Sequence, residues 1–194
     1  MNYPEYVKVN DKKYKINTDF RVAIECDKIA RDKEISDYER ALAIIYKLFG
    51  DEGLNNSNDW EKLLELANRY ISVNNINETE VEEKDIDMDF QQDMDYIKAS
   101  FMSDYNIDLD SKEMHWWTFY NLLNGLSNSE FGNCCILNRV RNLRNYDTSQ
   151  IKDSKTRTKI ENAKREVALK KKQKPLTEKQ KASIEKFNKL AGIS

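Results

Sequence analysis

Glycine and proline are scarce in this 194-residue chain, with five Gly and two Pro. That is too few for an ordinary β-sandwich, whose many tight turns depend on them. There is one histidine, His115. A nucleophile triad therefore has a single candidate base, and a zinc site would lack ligands. The three cysteines, Cys26, Cys134 and Cys135, are odd in number and two are adjacent, which excludes the disulfide framework of a small secreted domain. No apolar run approaches the ~18 residues of a membrane span. The opening Met1-Asn2-Tyr3-Pro4-Glu5 has no charged-then-apolar leader, so the sequence predicts a protein that stays where it is made. Phosphate-cradling Gly-x-x-x-x-Gly-Lys, dinucleotide-binding Gly-x-Gly-x-x-Gly and zinc-binding His-Glu-x-x-His are all missing. With no constellation to carry chemistry, the expectation is a non-enzymatic protein with no catalytic residues, metal site or cofactor.

Charge and aromatic bulk are plentiful. Charged residues make up 34% and hydrophobic ones 39%, with ten Tyr, seven Phe and three Trp to build a core. The length suits one domain, or one with an appendage. The formal net charge of −2 conceals an asymmetry: residues 1–137 carry −13 and residues 138–194 carry +11. Opposed halves of this size predict where partners or self-contacts form.

Tyr6-Val7-Lys8-Val9 and Tyr14-Lys15-Ile16 flank a turn at Asn10-Asp11 and predict a small N-terminal hairpin. Everything after Ile16 reads as helical. Thr18 can cap a helix bearing Phe20, Ala23, Ile24 and Ile29. Ser36-Asp37-Tyr38-Glu39 is a capping box, followed by Ala41, Leu42, Ile45, Leu48 and Phe49, with Gly50 at a left-handed stop. Ser57 or Asn58 opens a third helix through Trp60, Leu63, Leu64, Ala67 and Ile71. Residues 74–89 are dense in Glu and Asp against Lys84 alone and read as an acidic solvated loop. Phe90, Met94, Ile97, Phe101 and Tyr105 mark a helix face.

Asp110 or Ser111 can cap a helix from Met114 to Leu123, closed at Gly125, whose aromatic residues cover most of its circumference. Such a helix is central and buried. Its paired tryptophans lie in the acidic part of the chain, so core packing is favoured over a base-stacking platform. A sixth helix begins at Ser127 or Ser129, takes in Cys134 and Cys135, and runs through Val140 and Leu143. Arg139, Arg141 and Arg144 then begin a basic region.

The overall expectation is a mainly α chain: a helical domain over residues 1–150 with an N-terminal β-hairpin, then a basic helical extension over 151–194. Ile160, Ala163 and Val167 form a thin apolar stripe in that extension. A second stripe, Ile184, Phe187 and Leu190, follows the capping box Thr177-Glu178-Lys179-Gln180. Both are candidate client-binding faces; folding back on the domain is the alternative, since a narrow face permits either. The basic cluster Lys170, Lys171, Lys172 and Lys174 can neutralise phosphates, so a nucleic-acid-binding accessory role is the second reading. Interspersed Glu161, Glu166, Glu178 and Glu185 make nucleic acid the less favoured partner.

Two segments together resemble a known family. The first is the run Tyr6-Val7-Lys8-Val9-Asn10-Asp11-Lys12-Lys13-Tyr14 through Arg21. The second is Asp95-Tyr96-Ile97-Lys98-Ala99-Ser100-Phe101, Tyr105-Asn106-Ile107-Asp108-Leu109, Met114-His115-Trp116-Trp117-Thr118-Phe119 and Leu122-Leu123-Asn124-Gly125-Leu126. In that order they are similar to small tail-module proteins of siphophages of low-GC Gram-positive bacteria, over about residues 6–153. The resemblance implies a tail assembly chaperone that keeps the tape measure protein soluble and helps recruit tail tube protein. It also implies action in the host bacterial cytoplasm and absence from the mature virion. Many copies coating one client would bind by avidity, which admits a homo-oligomer. A structural tail component is the remaining alternative.

Overall fold

The computed structural model describes residues 3–73, 87–129 and 133–170. Strands β1 (Tyr6–Val9) and β2 (Lys12–Lys15) pair antiparallel, with Val7 opposite Tyr14 and Val9 opposite Lys12. Asn10 makes the reversal at φ 52°, a left-handed conformation that Asn tolerates. A lone hairpin is marginal in water, and this one is anchored by burial. Tyr14 is fully buried, and its hydroxyl donates to Asp59 Oδ2 at 2.6 Å. Asn10 Nδ2 donates to Asp59 Oδ1 at 2.9 Å, and Asn56 Nδ2 donates to the Tyr14 hydroxyl at 2.6 Å. The Asn17 amide donates to Leu48 O at 2.7 Å, so the strand exit is bonded to a helix.

That helix belongs to a group of three. Helix α1 spans Phe20–Ala30, α2 Asp37–Leu54 and α3 Trp60–Ile71, the last entered through a 3-10 turn at Ser57–Asp59. The capping box of α2 forms as expected: Ser36 Oγ accepts from the Glu39 amide, and the Glu39 carboxylate accepts from the Ser36 amide at 2.8 Å. For α1 the cap is Asp19 rather than Thr18. Asp19 accepts from the Arg21 amide at 2.8 Å, while Thr18 O takes the Trp116 amide at 2.7 Å. Gly50 lies at φ 65°, ψ −160°, but it kinks α2 rather than ending it, and one further turn follows.

Helix α4 spans Met94–Tyr105, with Asn106 left-handed at its end; Phe90 sits in the turn before it. Helix α5 is Trp116–Asn124, shorter than the expected start at Met114. Two contacts hold the approach to it non-helical. The Phe20 amide bonds Met114 O at 3.0 Å, and Arg21 Nη2 reaches the carbonyls of Leu109 (2.6 Å) and Lys112 (3.2 Å). Helix α6 runs from Ile136 to Asn145, so neither Ser127 nor Ser129 starts it. Asn138 Nδ2 instead binds the carbonyls of Leu126 (3.2 Å) and Ser127 (3.1 Å), keeping that stretch a loop, and Cys135 becomes the cap. Helix α7 spans Ser154–Val167, capped by Asp153.

Among the described residues one core joins these elements. It takes Val9, Tyr14 and Ile16 from the hairpin region, Ile45 and Leu48 from α2, and Leu63 from α3. Phe20, Ala23 and Ile24 join it from α1, and Ile97, Phe101, Phe119 and Leu137 from the later helices. Phe119 stacks on Phe20 at 4.5 Å and on Phe101 at 5.2 Å between ring centroids. Such offset stacks add to the area they bury. The architecture is thus mainly helical with a small antiparallel hairpin. Of the predicted acidic loop only Asp87, Met88 and Asp89 fall within the described residues, and the helix predicted after Thr177 lies outside them.

Candidate functional site

Helix ends leave carbonyls without intrahelical partners, and in this fold side chains from outside each helix satisfy them. All three tryptophans do so. The Trp60 indole donates to Gly53 O and Leu54 O at 3.2 and 3.1 Å, closing α2. Trp116 donates to Ile71 O and Trp117 to Tyr70 O, each at 3.0 Å, closing α3. Beside them His115 caps α5: its Nδ1 accepts from the Trp117 amide at 3.0 Å. Nδ1 is therefore unprotonated, and Nε2 carries the hydrogen toward Pro4 O at 3.3 Å. The His-Trp-Trp run is a clamp that binds α3, α5 and the N-terminal segment together. Trp116 is only 2% exposed, as core packing requires and a base-stacking platform does not allow.

A second junction was not legible in the sequence. Arg144, read there as the start of a basic region, forms a bidentate pair with the fully buried Asp93 at 2.7 and 2.8 Å. Its remaining donors reach Asp87 O at 2.8 Å and Val167 O at 2.6 Å. The guanidinium is held even more firmly protonated than usual, chiefly by its hydrogen bonds to Asp93. One residue thus ties the start of α4, the segment at 87 and the end of α7. The only sequence signal for it is an arginine and an aspartate at otherwise polar positions, which does not pair them. Neighbouring Arg141 binds Asp87 Oδ2 at 3.1 Å, and Lys164 donates to Tyr146 O at 2.5 Å.

The client-binding candidates divide. Ile160, Ala163 and Val167 are half-buried on α7, no residue of which is fully buried, and the helix rests against α6. Lys170 is exposed, and its backbone exchanges two hydrogen bonds with the Gln92 side chain, at 2.8 and 3.2 Å. Ile184, Phe187, Leu190, Lys171, Lys172 and Lys174 lie outside the described residues. The sequence also did not disclose an apolar cleft between α1, the end of α3 and α5. Cys26 lines it, its thiol pushed up to about 12 by burial. Among the described residues no cluster of His, Cys, Asp or Glu could hold a metal ion.

The chain matches the family described as Bacteriophage Gp15 protein over residues 2–169. It belongs to that family. The match takes in the hairpin, the His-Trp-Trp clamp, the Arg144 junction and all of α7. No curated protein and no solved structure matches the chain. Gp15 membership makes this a bacteriophage tail assembly chaperone, a non-enzymatic role exercised through protein–protein contacts. The Gp15 family is associated with the assembly of tape measure and tail tube. Among the described residues no helix is long and apolar enough to cross a membrane.

Proposed function

We propose that this Gp15 protein binds the tape measure protein directly, keeps it soluble in the host bacterial cytoplasm, and brings tail tube protein to it. It is then left out of the finished virion. The observation that supports this reading most is α7: an amphipathic helix with a half-buried stripe, Ile160, Ala163 and Val167, resting against α6. A tape measure protein is long and helical, and its apolar stripes stay unpaired until tube subunits enclose it. A helix with a narrow apolar face can cover such a stripe in the helix-in-groove manner. We assign residues 1–150 the role of a rigid body and 151–194 that of a client-directed basic extension. Weak contacts repeated over many copies would then coat one client.

The arginines of the basic region favour this over nucleic-acid binding. Arg141 and Arg144 spend their donors on Asp87 and Asp93 within the same chain. The test is co-expression with the tape measure protein of the same gene cluster. The expected result is a soluble tape measure protein that co-purifies at moderate salt. A tape measure protein that stays insoluble, with nothing co-purifying, overturns the reading. Recovery of the chain from purified virions would make it a structural tail component instead.

A further inference from the structure

The cleft between α1, α3 and α5 has a volume of about 280 Å³, and its walls include Cys26, Ala30, Ile71, Phe90, Trp116 and Tyr120. A cavity of about 150 Å³ is enough to take a benzene ring. This one therefore has room for a phenyl group and an aliphatic side chain together. Asp27 lines its rim, with a carboxylate that burial pushes up and that the ion pair with Arg31, at 2.9 Å, holds down; Asp89 adds a weaker upward push.

The described chain ends beside the cleft. Lys170 is held by Gln92, two residues from the cleft-lining Phe90. The 24 residues beyond it contain seven Lys and two Glu, with Ile184, Phe187, Leu190 and Ala191 at helical spacing behind the capping box at Thr177. Residues 171–176 alone span up to ~20 Å when extended. The position of the segment and its apolar spacing both match the cleft.

We propose that in the free protein the chain's own C-terminal segment, residues 176–194, seats Phe187 and Leu190 in this cleft. The contact covers side chains that the client reading also uses, so a client competes with it.

The test places the photo-crosslinker p-benzoylphenylalanine at position 187 of the full-length chain, with no client present. Mass spectrometry of the irradiated monomer should find the crosslink on α1, α5 or Phe90. Ala30 is exposed at the end of α1, so Ala30→Trp can fill the cleft mouth without disturbing the core. That variant should keep its far-UV spectrum and lose at least ten-fold of the crosslink yield. Crosslinks elsewhere on the chain, crosslinks to a second copy, no crosslink, or an undiminished yield in Ala30→Trp each overturn the proposal. Because no client is present, such a failure leaves the chaperone reading standing, and failure of the co-expression leaves this contact standing.

Discussion

A guanidinium presents five donors in a planar fork, and Arg144 uses the fork to hold a buried carboxylate and two backbone carbonyls at once. Its side chain is 10% exposed and that of Asp93 is 1% exposed, so the pair is shielded from solvent. Removing one partner leaves the other charge buried and unpaired. Arg144→Met is therefore expected to cost about 3–5 kcal/mol in urea unfolding. Arg144→Lys should rescue little, because an ammonium cannot reproduce the fork. A loss below about 1 kcal/mol for Arg144→Met would contradict the junction as described. Cys26 gives a second prediction at this scale. Its thiol is buried and pushed up to about 12, so the reactive thiolate is negligible at pH 8. Iodoacetamide at pH 8 should leave Cys26 unmodified in the native protein and modify it fully in denaturant, as peptide mass mapping will show.

Helix ends are the element-scale theme. Asn is among the best capping residues, so His115→Asn should nearly preserve α5, whereas His115→Ala should cost about 1 kcal/mol. Thermal unfolding of the two variants side by side measures the difference. Gly50 lies at φ 65°, ψ −160°, a region essentially reserved for glycine. Gly50→Ala should cost about 1–3 kcal/mol although open space surrounds it. Gly53 fails for a different reason: a Cβ there would lie 2.8 Å from Phe49 Cβ and 3.0 Å from Ile45 Cγ2. Three carboxylates at these ends sit below the ordinary range. Glu39 is held down first by the Ser36 amide, Asp104 by the Ser127 amide, and Asp153 by Thr156. A carboxylate depressed in the folded state contributes stability that is present above its unfolded value and lost as pH falls through the folded one. Protection factors at the first turns of α2 and α7 should thus hold at neutral pH and fall below about pH 4. Frayed turns already at pH 6 would show that the caps do not hold them.

At the scale of the whole molecule, separated segments are joined by polar bonds around one apolar core. The His-Trp-Trp clamp bonds α5 to α3, and the Arg144 junction bonds α6 to the segment at 87, α4 and α7. The basic region that looked like a phosphate surface is partly consumed by these internal pairs. Association with a tape measure protein should accordingly survive a rise from 50 to 200 mM salt. A protein contacting 6–10 phosphates would lose about 10³–10⁵ in affinity over the same range. Pull-down of the co-expressed complex across that range makes the comparison.

The sequence by itself determined the hairpin, the three helices before residue 73 and their faces, because turn residues, capping boxes and apolar spacing act over a few residues. It also marked the His-Trp-Trp run, although as core rather than as a clamp. The starts of α5 and α6 were misplaced because their first turns are decided by contacts far away in the chain. Phe20 and Arg21 hold the approach to α5, and Asn138 holds the loop before α6. Nothing local in Trp116, Trp117 or Arg144 says which carbonyl or carboxylate each will meet. Those partners, from 45 to 51 residues distant for the two indoles and Asp93, exist only once the core has brought the helix ends together. Tertiary structure alone decided them, since a hydrogen bond depends on geometry that sequence spacing does not carry.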